Sequence, residues 1–443
     1  MCDSVGVAPA RSATGRTLFA KNSDRPEGEC QPFVQYPAAH HPRGARVRCT
    51  HVEIAQVAET FAVMGHSPFW VFGFEHGVNE HAVAIGNHTV FSREPVEEQP
   101  GLIGMDLVRL GLERARTARE AVEVVATLVE THGQGGPAFK PGGGGYHNSF
   151  TIADAREVWL METSGRRWAA RRVEAGALTN HFTLDTGWEI ASRDLESFAR
   201  TEGWWTERAR VDVARAYRNE HVPGRISEGR LRRSCALLAA RAAHDVAGLE
   251  ALLRDHGDGG LAPPAHTSTE EEAHFTLCMH AEPVGTTTAS LVAELPARDE
   301  RDDAGWRPWP VWISFATPCT GVFLPVYVDG VVPAAYARGG ETPSDDSAWW
   351  AFARLRAAAQ RDFAALNPRL RAAWAPLERD IERERVEAEA RALELARAGD
   401  GDAARDALSA FAQRCAERAI ARAAELVDAI ESGEDVAAAT AAG

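Results

Sequence analysis

The chain has 443 residues, 45% hydrophobic and 25% charged, with a formal net charge of −15. These proportions suit a globular protein with a large core, and the acidic balance argues against nucleic acid or an anionic membrane as a general partner. No apolar run reaches the roughly 18 residues of a membrane span, so none is expected.

The chain opens Met1-Cys2. Methionine excision normally proceeds when the next side chain is small, so the mature chain is expected to begin at Cys2. Such a residue carries a thiol of reference pKa about 8.5 and an α-amine of about 7.7–8.0. The amine can therefore take the proton that the thiol must lose, which is the logic of an N-terminal nucleophile. On this residue alone, an ordinary terminal cysteine is the alternative. Residues 2–8 and 16–21 flank a Pro/Ser/Gly turn and read as a β-hairpin. With the turn centred between Arg11 and Ser12, Ser4 is expected to face Phe19, and Cys2 to face Lys21, whose ammonium would favour thiolate. Lys21 and Lys140 are the only lysines among 48 basic residues, so a lysine at this place hints that a compact ammonium is wanted there.

Strand-like segments follow at 46–57, 60–64 and 81–91. A helix is expected over 103–115, and Thr117-Ala118-Arg119-Glu120 opens a second, with Val122, Val125, Leu128 and Val129 on its apolar face and Gly133 as its stop. A glycine-rich loop at 142–145 leads into a meander of strands near 146–153, 156–163 and 166–173. Helices are expected near 190–200, 228–241 and 244–256, and strands at 274–281, 287–294, 309–316 and 321–328. Strands, a helical block and more strands make an α+β pattern. From about 345 the composition turns to Ala, Arg and Glu, which predicts long solvated helices broken near residues 399–401. The expected organisation is a domain over 1–340 and a helical C-terminal region over 341–443, the latter a candidate surface for homo-oligomer formation.

Cys2-Asp3 and Phe19-Ala20-Lys21-Asn22-Ser23-Asp24-Arg25-Pro26 closely resemble the start of the secernins and the related dipeptidase A-type cysteine peptidases. Further matching text includes Gly77-Val78-Asn79-Glu80-His81, Gly104-Met105-Asp106-Leu107, Tyr146-His147-Asn148-Ser149-Phe150 and Gly203-Trp204-Trp205. The resemblance runs over roughly residues 1–330. It implies a four-layer αββα N-terminal-nucleophile hydrolase sandwich and cleavage of a C–N amide bond, with penicillin V acylases, bile salt hydrolases and acid ceramidases as distant relatives. It also implies roles for residues that, read alone, have plainer explanations. Asp24 would orient the Cys2 amine, although it could equally pair with Arg25 or cap a turn. Asn180, in Leu178-Thr179-Asn180, and Asn87 would stabilise the oxyanion, although Asn180 could be a turn residue. Arg230 would complete a charge network, with Arg232 and Arg233 close by in sequence.

Glu75-His76 with Glu80-His81 lacks the HExxH spacing that aims two helical ligands at one metal, and the glycine loop lacks the Lys-Ser/Thr of a phosphate loop. No metal and no cofactor are expected. Seven cysteines without CxxC spacing, and no apolar leader ahead of a cleavage site, point to reduced thiols in a cytoplasm. Cys30, Cys49, Cys235, Cys278, Cys319 and Cys415 are expected to be packing residues. Trp204, Trp205, Trp306, Trp309 and Trp312 read as core or cleft walls. The sequence thus predicts a cysteine hydrolase acting on a small peptide or amide, first of all a dipeptidase. The rivals are an N-acyl amide hydrolase and a non-catalytic regulatory protein.

Overall fold

The computed structural model describes residues 1–139, 143–257, 275–281, 284–296 and 306–436. The chain begins with the hairpin β1 (Cys2–Val7) and β2 (Thr17–Arg25), then β3 (Phe33–Tyr36), β4 (Val63–His66), β5 (His76–Asn79) and β6 (Ala84–Val90). Two helices follow, α1 (Gly104–Arg114) and α2 (Ala118–His132). Next come β7 (His147–Ala153), β8 (Val158–Ser164), β9 (Arg167–Val173), β10 (Ala175–Leu178) and β11 (Ile190–Ala191). The helices α3 (Glu228–Ala239) and α4 (Val246–Leu253) lead to β12 (His280–Ala281), β13 (Gly285–Leu295), β14 (Pro310–Phe315) and β15 (Leu324–Tyr327). The chain closes with α5 (Ala348–Ala359), α6 (Phe363–Arg397) and α7 (Gly401–Ser432).

The strands form two antiparallel sheets. The first has the order β10-β1-β2-β13-β14-β15 with β12 paired to β13; the second has the order β11-β9-β8-β7-β6-β5-β4-β3. They stack face to face. Ser4 Oγ of the first sheet meets Thr151 Oγ1 of the second at 2.7 Å. Gly6 lies so close to Val158 that a Cβ there would come within 2.4 Å of its Cγ1. The outer face of the second sheet is covered by α1 and α2, where Leu107, Leu110, Val122 and Val125 join Ile85, Phe150 and Ile152. The outer face of the first carries α3 and α4, with Leu238, Leu249 and Leu253 against Val5, Leu18 and Val292. The architecture is the αββα sandwich.

The helical signals in the sequence act as expected. Thr117 Oγ1 accepts from Glu120 N at 3.1 Å to open α2, and Gly133 closes it at φ +68°. The chain breaks at Gly399, at φ +86°, between α6 and α7. The C-terminal helices, however, are not simply solvated. Trp349, Phe352, Trp374, Leu408 and Phe411 share one apolar cluster with Val311, Ile313 and Leu324 of the first sheet, and Trp374 Nε1 donates to Thr320 O at 2.8 Å. Their charge density is real but covers one face only.

Other expectations need correction. Residues 46–57 form a small ribbon of 46–48 with 53–55, outside both sheets; its alternation does bury an apolar face, with Ile54 in the cluster beneath α1 and α2 and Val47 and Val52 packed against it. Within 274–281 only His280–Ala281 pairs as strand; residue 274 lies outside the described residues, as do residues 140–142 with Lys140 and the start of the glycine loop. Cys235 is exposed and is no packing residue.

Candidate active site

Strand β2 lies between β1 and β13 and is buried along its whole length, TLFAKNSDR. Its first half is apolar and fills the sandwich; its second half, from Lys21, brings charge into the same buried layer. The hairpin register pairs Cys2 with Ser23 and Ser4 with Lys21. This differs by two residues from the sequence expectation, because Pro9–Arg11 folds as a 3-10 turn and lengthens the connection. A one-residue slip would put Lys21 on the opposite face, whereas a two-residue slip keeps the face and makes the pair diagonal. Lys21 still reaches Cys2, with Nζ 3.4 Å from Sγ.

A carboxylate completes this group. Glu75, just before β5, places Oε2 3.4 Å from Lys21 Nζ and 3.7 Å from the Cys2 thiol, which donates to it. Its other oxygen lies 3.5 Å from Arg25 Nη1. Arg25 in turn donates to Glu29 at 2.6 Å and to Ala138 O at 2.8 Å. Lys21, Arg25, Glu29 and Glu75 are all buried, and two positive charges balance two negative ones. That balance is what makes such burial tolerable. Burial pushes the Cys2 thiol up; Lys21 pulls it down and Glu75 raises it again, with the net shift upward. Burial also pushes Glu75 up, but Lys21 and Arg25 outweigh it and hold this carboxyl below its ordinary range. Close by, burial, aided by Lys21, forces His66 down to about 3 and holds His76 and His88 well below the usual range, so these imidazoles stay neutral.

The backbone of Cys2 is held from the other side. Its nitrogen donates to Asn180 Oδ1 at 3.1 Å. Asn180 is fixed by its own Nδ2, which donates to Thr89 O at 2.9 Å, and by Arg230 Nη2, which donates to Oδ1 at 2.6 Å. Arg230, fully buried on α3, also donates to Asp3 and, at 3.3 Å, to Cys2 O. Asp24 Oδ1 accepts from Thr287 Oγ1 at 2.7 Å. Its Oδ2 is buried without a hydrogen-bond partner, 3.8 Å from Arg230. Asn87, oriented with its amide nitrogen toward Glu75, donates to Oε2 at 3.2 Å and to Glu75 O at 3.0 Å.

The structure therefore gathers Cys2, Lys21, Asn180, Arg230 and Asp24 at the end of β1, with Asn87 one contact away through Glu75. It differs from expectation in what the asparagines offer. The Asn180 nitrogen is spent on Thr89 and that of Asn87 on Glu75, so the positive charge nearest the sulfur is the Lys21 ammonium. Glu75, Arg25 and Asp3 were not picked out as site residues from the sequence. A signal for Glu75 existed: it follows Phe72-Gly73-Phe74 just before β5, and a charge embedded in apolar text needs a buried counter-charge. Met1 continues the β1 ladder, its nitrogen donating to Asp24 O at 2.6 Å. Its side chain packs on the cluster of Phe275, Met279 and Ala281, as does Ile226.

A family model for peptidase family C69 matches residues 1–225. Among curated proteins, the chain is 28% identical over 221 residues to a dipeptidase of Bifidobacterium longum, covering 44% of this chain and 39% of that protein. It is 28% identical over 187 residues to a probable dipeptidase B of Lactococcus lactis subsp. lactis, covering 39% and 36%. These alignments thus span well under half the length of either relative. Among solved structures, a conjugated bile acid hydrolase from Clostridium perfringens superposes with a TM-score of 0.39 at 14% identity, covering 70% of this chain and 89% of that one. Penicillin V acylase from Agrobacterium tumefaciens gives 0.40 at 13%, covering 74% and 85%.

Proposed function

The chain belongs to peptidase family C69, and from that membership we propose that it is a cysteine N-terminal-nucleophile hydrolase that cleaves C–N amide bonds, its preferred substrates being dipeptides. The observation that carries this reading is a buried thiol set between an ammonium and a carboxylate, with its own backbone nitrogen hydrogen-bonded to Asn180. The names of the two curated relatives support the dipeptide substrate.

In this reading Met1 is removed, and the Cys2 nitrogen becomes the α-amine. The amine takes the thiol proton, and sulfur attacks the scissile carbonyl. As the tetrahedral adduct collapses, the protonated amine gives that proton to the leaving nitrogen and a thioester remains on Cys2. Water, deprotonated by the same amine, then attacks the thioester and releases the acid and the thiol. Asn180 and Arg230 act as positioning residues for the amine, and the free Oδ2 of Asp24 is the acceptor suited to its new N–H bonds. Lys21 offers the electrostatic stabilisation beside the sulfur. Asn87 acts through Glu75. Loss of Met1 would also vacate the apolar niche of Phe275, Met279 and Ala281, which suits an apolar substrate side chain.

The test is a comparison of kcat/KM for dipeptides with free amino termini against N-acylated amides, penicillin V and bile salt conjugates. Dipeptides should rank first, and Cys2→Ser should abolish their turnover while leaving the fold intact. The opposite ranking would make the protein an acylase of linear amides, and no turnover of either set would make it a non-catalytic member. Among the described residues no helix is long and apolar enough to cross a membrane.

A further inference from the structure

Away from Cys2, on the α4 and α6 side of the first sheet, four side chains converge that the hydrolytic site does not use. They are His256 just after α4, Cys278 and His280 at β12, and Cys319 in the turn between β14 and β15. His256 Nε2 lies 3.2 Å from His280 Nε2. Cys319 Sγ lies 3.3 Å and Cys278 Sγ 3.6 Å from that same nitrogen. One ligand atom from each of the four falls within 4.8 Å of all the others. Cys278, His280 and Cys319 are buried, and His256 is half-buried.

Four such donors converging on one point can surround a single ion. With zinc–sulfur bonds of about 2.3 Å and zinc–nitrogen bonds of about 2.0–2.1 Å, tetrahedral angles put the nitrogens about 3.3 Å apart and nitrogen about 3.6 Å from sulfur. The three edges that meet at His280 Nε2, 3.2, 3.3 and 3.6 Å, match those lengths within a few tenths of an ångström. Charge points the same way. Two thiolates and two neutral imidazoles around a doubly charged cation sum to zero, the condition under which an ion can be buried without a large desolvation penalty. The donor set is N2S2, which selects zinc over the oxygen-seeking magnesium and calcium. Four protein ligands close the coordination sphere, the mark of a structural rather than a catalytic zinc.

We propose that His256, Cys278, His280 and Cys319 bind a structural zinc(II) ion that ties the segment after α4 and the β14–β15 turn to β12, at the edge of the sheet carrying the nucleophile. Binding converts the two thiols to thiolates and releases two protons. The surroundings are built to hold the ligands. Cys278 N donates to Asp255 O at 3.0 Å, and Asn367 of α6 donates to Cys319 O at 3.1 Å. The Phe363 ring, also of α6, packs 4.7 Å from the His280 ring. The turn presenting Cys319 contains Ala316 at φ +54°, a left-handed conformation that a residue with a Cβ adopts at a cost. The cluster also abuts the hydrolytic strand, because Asn22 of β2 donates to Leu253 O and Leu277 O at 2.9 and 2.7 Å. The signature His-x21-Cys-x-His-x38-Cys has no CxxC pair, so the sequence alone reads these cysteines as packing residues.

The inference is independent of amide hydrolysis, and its test reads metal. Untagged full-length protein, purified without chelator, should contain about one zinc per chain by inductively coupled plasma mass spectrometry. Stripping by a chelator should remove the ion and lower Tm, and added zinc should restore both. Cobalt(II) in its place should give the intense d–d bands and the sulfur-to-cobalt charge transfer of a tetrahedral thiolate site. Cys319→Ser should lose the ion, whereas Cys235→Ser, at the exposed cysteine, should retain it. If Cys319→Ser does not fold, the wild-type stoichiometry and the cobalt spectrum still decide. Zinc below about a tenth of an equivalent, both as purified and after incubation with zinc and desalting, overturns the proposal. So does a Cys278–Cys319 disulfide as the main species in the peptide map of protein handled without oxidant.

Discussion

Replacing Lys21 by methionine removes the side-chain ammonium beside the Cys2 sulfur while keeping the length and apolarity of the stem. Nζ stands 3.4 Å from Sγ and 3.4 Å from Glu75 Oε2. At an effective dielectric of about 20, one charge pair at that distance is worth about 5 kcal/mol. Losing that attraction raises the thiol pKa, by less than the full pair where the pocket relaxes. Glu75, left 3.7 Å from the thiol, opposes thiolate further, although Arg25 still partners it at 3.5 Å. Breaking a buried pair also lowers stability, by about 3–5 kcal/mol. The assay is alkylation of Cys2 by iodoacetamide across pH, followed on its own peptide by mass spectrometry so that Cys235 does not contribute. Lys21→Met should shift the profile to higher pH, Lys21→Arg should shift it little, and Glu75→Gln should move it to lower pH. A folded Lys21→Met protein whose Cys2 profile superimposes on wild type would refute the electrostatic reasoning.

Three more outcomes are expected. A Cβ at Gly86 would sit 2.4 Å from Lys21 Cδ and 3.0 Å from the Phe19 ring, so Gly86→Ala should cost about 1–3 kcal/mol by overpacking and lower kcat by displacing the ammonium; urea melts and initial rates check both. Arg230→Met leaves the buried Asp3 and Asp24 carboxylates without their cation and should destabilise by about 3–5 kcal/mol, read by calorimetry. Burial pushes His147 down to about 4, so between that value and about 6.5 the unfolded chain binds the extra proton. This histidine's contribution is fully present above that window and lost as pH falls, by up to about 1.4 kcal/mol per pH unit. The stability difference between wild type and His147→Gln should accordingly fall by about that amount from pH 7.5 to 5.5 in urea unfolding.

The sandwich was legible because its elements carry local signals: the Thr117 cap, the Gly133 stop and the alternating strands of the meander. The hairpin register was not, since nothing in Pro9-Ala10-Arg11 announces a 3-10 turn over a tighter one; only the two-residue periodicity saved the facing of Lys21 and Cys2. Of the site residues on the hairpin, Cys2, Lys21 and Asp24 could be named, whereas Asp3 and Arg25, whose buried partners Arg230 and Glu29 lie outside it, could not. Glu75 could be flagged only as a charge in apolar text; its role could not be read, because its partners Lys21 and Arg25 come from a different sheet and meet it only once the layers stack. The same holds for His256 and Cys319, whose separation of 63 positions hides a contact made by three loops. The C-terminal helices were legible as helices from composition, but their buried faces depend on the sheet edge they cover.

The central claim is that Cys2 acts through its own α-amine, and the most direct test is the mass of the N-terminal peptide in a preparation that turns over dipeptides. The peptide should begin at Cys2, without Met1, and acid quenching during turnover should trap the substrate acyl group on the Cys2 sulfur. Full hydrolytic activity in protein that retains Met1 would contradict the account.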